Sequence, residues 1–176
     1  VRVPRLSQFG LDPRENLKYQ SACFSKASLS NHTPKLILVV EPSACLPMGA
    51  LVVEFIQGKN IVLPKDLNGM AECFARVHSL KTPRNPAPSG LVYHIDPIAG
   101  VVNTIKEQSK FINDATDDIQ VQKILNEEVE WASEFARQNS NLHPAPRLCL
   151  TDTHPGNFLT DTSGKVFFVD LEKALY

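Results

Sequence analysis

The chain has 176 residues, 43% of them hydrophobic and 21% charged, with a formal net charge of −1. That balance suits one ordinary folded core, excludes a disordered polyelectrolyte, and gives no basic field for nucleic acid or an anionic membrane. No apolar run approaches the roughly 20 residues of a membrane span, and no charged-then-apolar signal segment opens the chain.

In chain order, Asp12-Pro13-Arg14-Glu15 predicts a helix start. Aspartate caps the free amides, proline suits the first helical position, and Glu15 can reach back to the cap. The helix is expected to run to about Ala27. Lys35 to Glu41 and Ala50 to Ile56 are β-rich runs, read as two buried strands of one sheet with a turn over Pro42 to Pro47. Lys65 to Leu80 places Leu67, Met70, Phe74 and Val77 at helical steps. His78, at its end, reads as a packing residue or a partner of the helix dipole. Residues 81–89, with Pro83, Pro86 and Pro88, form a connector. Asp96-Pro97 opens a helix towards Ile112, and a longer one is expected from Asp117 to Gln138. Val121, Ile124, Leu125, Ala132 and Phe135 share one side of it, and Glu127, Glu128, Glu130 and Glu134 read as a solvated face. Cys23, Cys45, Cys73 and Cys149 show neither metal spacing nor a disulfide rhythm, as expected of reduced thiols in a cytoplasmic protein.

The densest chemistry lies between Cys149 and Lys173. Residues 147–150 predict a strand, 151–156 a loop, 158–160 a strand, 162–164 a turn, and 166–169 a strand that delivers Asp170. Asp152, Asn157 and Asp170 form an acid, amide and acid set suited to phosphoryl transfer from a Mg-nucleotide. One carboxylate accepts the acceptor's hydroxyl proton, while the amide and the other carboxylate hold the metal. Singly, these residues are turn formers. The strand, turn and strand that join them match the way a kinase catalytic loop leads to its metal-binding aspartate. His154 has two readings here, as a donor to phosphoryl oxygens or as a residue that orders the loop through backbone carbonyls. No other histidine lies at ligand-like spacing from it, which weakens a metal-hydrolase reading.

Leu150-Thr151-Asp152-Thr153-His154-Pro155-Gly156-Asn157 and Asp170-Leu171-Glu172 resemble the catalytic loop and metal-binding strand end of the aminoglycoside phosphotransferase family. Upstream, residues 51–58 resemble the strand and hinge joining its two lobes, and residues 71–80 the helix that follows. Residues 82–143 are the least specific part. The resemblance implies an α+β, protein-kinase-like fold. Residues 1–58 would form a partial smaller lobe with the hinge. Residues 59–176 would form a mainly helical larger lobe, with short β-hairpins carrying the site and its C-terminal end cut short. Relative to the family, the chain is expected to be a central piece, without the glycine-rich phosphate cover or the helices after the metal aspartate.

The same resemblance gives Arg2, with Arg5 second, as the phosphate-binding cation. Glu15 either pairs with Arg2 or only caps its own helix. The Glu54 carbonyl and the Ile56 amide would meet adenine. Asp152 would be the base and Asn157 and Asp170 the Mg²⁺ ligands. His154 matches where protein kinases carry a lysine near the transferring phosphate. Two departures stand out: Leu150 replaces a histidine that braces the loop, and Thr151 replaces a glycine. The expected function is transfer of the γ-phosphate of Mg-ATP (or GTP) to a hydroxyl of a small molecule, with neither nucleic acid nor membrane as partner. A nucleotide-binding pseudokinase and a non-catalytic scaffold remain as other classes.

Overall fold

The Asp12 carboxylate accepts hydrogen bonds from the Arg14 and Glu15 amides, each at 2.9 Å, and Pro13 occupies the first turn of α1 (Pro13–Ala27). The structure is a computed structural model that describes residues 1–7, 9–84, 89–142 and 145–176. One stripe of α1 buries Leu17, Tyr19, Cys23, Phe24 and Ala27. After it Asn31 turns the chain with φ 59°, a left-handed conformation that asparagine tolerates better than most residues.

β1 (Leu36–Val40) pairs antiparallel with β2 (Ala50–Val53), Val40 facing Ala50. Ala50 and Leu51 are buried, whereas Ile37 is 65% and Leu38 55% exposed. The expectation of two buried strands therefore holds for β2 alone. A continuous apolar run reports β-propensity, not how many faces find cover. The ladder also ends at Val53, short of Ile56. The chain re-enters a sheet as β3 (Gly58–Asn60), a strand the sequence pattern did not reveal.

α2 (Leu67–His78) turns Cys73 and Val77 into the core, with Met70 and Phe74 packed beside them. Leu67, its first residue, remains 52% exposed. β5 (Phe158–Asp161) and β6 (Val166–Phe168) form a hairpin, with β3 on the outer side of β5. β4 (Cys149–Leu150) pairs with β7 (Ala174–Leu175). His32, only 6% exposed, pins the loop after α1 to this hairpin. Its Nδ1 donates to the Val166 carbonyl at 2.9 Å, and its own carbonyl accepts from the Phe168 amide at 2.9 Å.

The chain divides into two compact units, one of residues 1–93 with 147–176 and the other of residues 94–146. The first holds every strand above, α1, α2 and the main core. Residues on both sides of position 58 contribute to that core. The second unit contains α3 (Pro97–Ser109), α4 (Ile112–Ala115) and α5 (Ile119–Gln138). Asp96 caps α3 through the Ala99 amide, and Asp118, not Asp117, caps α5. The helix expected to reach Ile112 stops at Ser109. No residue of α5 is buried, and Val121, Ile124, Leu125 and Phe135 are exposed. The amphipathic pattern thus set the helix without burying the side it marks. Within the connector, residues 85–88 lie outside the described residues, as does His143 at the end of the least specific stretch. Among the described residues the fold is α+β, with five α-helices and small antiparallel sheets, and no helix is long and apolar enough to cross a membrane.

Phe158 and Phe168 face each other across the hairpin, fully buried, with ring centroids 5.0 Å apart, and Phe74 meets Phe158 edge-on at 5.5 Å. Removing the Phe158 ring leaves a cavity that its β-sheet neighbours cannot fill. We expect Phe158→Ala to cost about 3–5 kcal/mol, measured as a shift in the urea unfolding midpoint. A loss below 1 kcal/mol would contradict this packing.

Candidate active site

The β5–β6 hairpin builds the site by register. Phe158 pairs with Phe168, and the Val169 amide donates to the Asn157 carbonyl at 2.9 Å, which adds one rung beyond the strands. Asn157 and Asp170 consequently leave the same end of the hairpin.

Asp152 is brought to Asn157 by the loop between them. The Asn157 Nδ2 donates to the Asp152 carbonyl at 2.8 Å and lies 3.3 Å from Asp152 Oδ2. Both hydrogen bonds use the amide nitrogen, so the Asn157 side-chain oxygen has no bond to a described residue. Asp152 has φ 52°, a left-handed backbone that costs free energy in any residue with a Cβ. Its side chain is exposed.

His154 caps the single 3₁₀ turn Pro155–Asn157: its Nδ1 accepts from the Gly156 amide at 2.8 Å. It orders the loop through a backbone amide, whereas the backbone alternative considered above involved carbonyls. An accepting Nδ1 places the neutral ring's proton on Nε2. Gly156 is required by this contact, since a Cβ there would lie 2.4 Å from His154 Cε1.

Arg2 reaches the site from the other end of the chain. Its amide donates to the Leu51 carbonyl at 2.8 Å and its carbonyl accepts from the Leu51 amide at 2.9 Å, which fixes it against β2. The guanidinium then bonds the Val169 carbonyl at 3.1 Å, Asp170 Oδ1, and Glu172 Oε1 at 3.1 Å. It also lies over the Phe24 ring, 5.7 Å from the centroid. Arg2 therefore pairs with the carboxylates after β6 and not with Glu15, which is exposed on α1 and contributes its amide to the Asp12 cap. Arg5 is exposed.

At the expected hinge, the Glu54 amide donates to the Lys35 carbonyl at 2.8 Å, and Glu54 Oε2 accepts from the Lys35 amide at 3.1 Å. The Glu54 carbonyl and the Ile56 amide have no partner among the described residues. A cleft of about 550 Å³ lined by Gly58, Lys59, Lys65, Asp66 and Thr160 contains none of the expected site residues.

Three residues near the site were not assigned a role from sequence. Glu172 shares Arg2 with Asp170. Thr151, noted only as a departure, donates its hydroxyl to the Lys173 carbonyl at 3.0 Å. Tyr19 donates to the Ala174 carbonyl at 2.7 Å and accepts from the Ala174 amide at 3.2 Å, and burial raises its phenol pKa well above the ordinary value. A tyrosine in the apolar stripe of a helix reads as core, and its partner lies 155 residues away. No local signal could have found the bond.

A model of the phosphotransferase enzyme family matches residues 22–176, a span that holds β4 to β7 and the loop with Asp152, His154 and Asn157. The chain belongs to that family, the aminoglycoside phosphotransferases. Membership implies a kinase-like fold and phosphotransferase chemistry in general. No curated protein sequence matches the chain. Arg2 and Glu15 lie outside the matched residues.

With Arg2 29% exposed and Asp170 28% exposed, the clamp is partly screened by solvent. We expect Arg2→Met to lower stability by about 1 kcal/mol at low salt, the difference shrinking at 1 M salt, where the Debye length is about 3 Å. Parallel denaturation curves at the two salt concentrations test this, and identical stability at low salt would remove the clamp.

Proposed function

We propose that the protein transfers the γ-phosphoryl group of Mg-ATP (or GTP) to a hydroxyl group of a small molecule. The observation that carries this reading is the division of labour in Asn157. Its amide nitrogen is spent on Asp152, and its oxygen is left unbonded at the end of the hairpin from which Asp170 also emerges. Asp170 engages Arg2 through Oδ1 alone, so Oδ2 is unused among the described residues. Two uncommitted side-chain oxygens, one of them anionic, fit a hard cation that completes its shell with phosphate oxygens and water. Asn157 and Asp170 would hold Mg²⁺, which when bound neutralises charge on the phosphates.

Asp152 would orient the acceptor hydroxyl and take its proton late in transfer. In a loose phosphoryl transition state, positioning outweighs basicity. Its exposure suits access by a second substrate. His154, with its proton on Nε2, would donate to a phosphoryl oxygen while Nδ1 keeps the loop closed. Arg2 would face the phosphates across the Asp170 carboxylate, and Glu15 would act only as part of its helix start. Adenine would meet the free Glu54 carbonyl and Ile56 amide, with residues 1–58 serving as the smaller lobe and 59–176 as the larger. Free thiols at all four cysteines suit a cytoplasmic setting.

Two experiments bear on these assignments. Asp170→Ala removes the charged metal ligand, so calorimetry should detect no Mg-ATP binding in that variant. Affinity equal to the parent's would take Asp170 out of the metal site. Asp152→Asn should leave the fold and most nucleotide affinity intact while lowering turnover by about 10²–10⁴-fold, the range for a positioned acid–base group. Turnover within a few-fold of the parent would exclude Asp152 as the base.

A further inference from the structure

We infer that Thr151 is a positioning residue whose hydroxyl ties the loop carrying Asp152 to the segment following Asp170 and so sets the distance between the two carboxylates. The inference rests on the phosphotransfer reading above for its catalytic consequence. β4 and β7 share only two residue pairs, Cys149 with Leu175 and Leu150 with Ala174. In that register Thr151 faces Lys173, and the next rung would have to come from their backbones. The chain instead turns away, because Asp152 adopts φ 52°. The Thr151 hydroxyl replaces the missing rung by donating to the Lys173 carbonyl at 3.0 Å.

Both ends of this tie are anchored. On the Asp152 side, Leu150 is in the hydrophobic core, and the Asn157 amide holds the Asp152 carbonyl at 2.8 Å. On the Asp170 side, the buried Tyr19 phenol brackets Ala174 through both its carbonyl and its amide, at 2.7 and 3.2 Å. The Lys173 ammonium lies 4.6 Å from the centroid of the Phe9 ring, which itself meets Tyr19 edge-on at 5.3 Å. Thr151 thus bonds to a carbonyl whose neighbours are fixed to α1. A left-handed aspartate persists only where its surroundings over-determine it, and here Asn157 holds one side and Thr151 the other. The hydroxyl matters and the methyl does not, since no hydrocarbon group can satisfy the Lys173 carbonyl.

Thr151→Val keeps shape and β-branching and removes the donor, whereas Thr151→Ser keeps the donor. The probe is Mg-ATP with water as acceptor. For Thr151→Val we expect kcat to fall about ten-fold or more, as misplacement by a fraction of an ångström does, with the KM for Mg-ATP unchanged. Thr151→Ser should return kcat close to the parent value. Amide hydrogen exchange should quicken at residues 152–157 and 173–175 in the valine variant and stay parental in α1. If Thr151→Val does not fold, Thr151→Ala carries the same comparison. Parental kcat and parental exchange in the variant lacking the hydroxyl would overturn the inference, as would a serine variant as impaired as the valine one. A parent that neither binds nor turns over Mg-ATP would mark failure of the phosphotransfer reading instead. In that event the exchange pattern alone decides whether Thr151 makes the tie.

Discussion

Two phenylalanine rings decide where the chemistry can be. Phe158 and Phe168 occupy facing positions of β5 and β6, and both are completely buried. A slip of one residue in either strand would turn its ring away from its partner and out of the core, so this register is strongly specified. Once it is set, Asn157 and Asp170 have no freedom to separate, because each sits within two residues of a buried ring. Packing in the core, together with the Val169–Asn157 backbone bond, thus fixes the spacing of the polar groups outside it. His32 reinforces the arrangement from behind by bonding both Val166 and Phe168 through its ring and its carbonyl.

Charge does the rest, and arginine suits the task better than lysine. Arg2 presents a planar fork to three acceptors at once: a backbone carbonyl, Asp170 and Glu172. A lysine ammonium is a point charge with rotatable donors and lacks that pre-organised fork. The fork holds two like-charged carboxylates side by side and leaves the second oxygen of Asp170 uncommitted among the described residues. An anionic pair that would otherwise repel is in this way held together.

Local chemistry made much of this legible in the sequence. The Asp12 and Asp96 caps, the short strands between residues 147 and 169, and the family's loop pattern around Asp152 and Asn157 all depend on neighbours a few residues apart. What stayed hidden depends on distant partners. Pairing with Arg2 was one of two readings of Glu15, yet the companion of Arg2 is Asp170, 168 residues away. The apolar run of β1 implied burial, but cover for a strand comes from other elements that its own residues do not announce. Thr151 was visible as an anomaly, and only the register of β4 against β7 shows what its hydroxyl does.

The separation between Arg2 and Asp170 also orders events in time. Ribosomes add about 5–20 residues per second, so Arg2 is made roughly 8–34 s before the carboxylate it clamps, 168 residues on. Throughout that interval α1 can form and Phe24 can begin to pack, but β2 has no finished site to present. Tyr19 waits nearly as long for Ala174, 155 residues on. Both contacts therefore form only after the long intervening stretch is made, and closing such long loops is entropically costly and slows folding. Until then the nascent chain carries an unpaired guanidinium and an exposed sheet edge, a template for pairing with other chains.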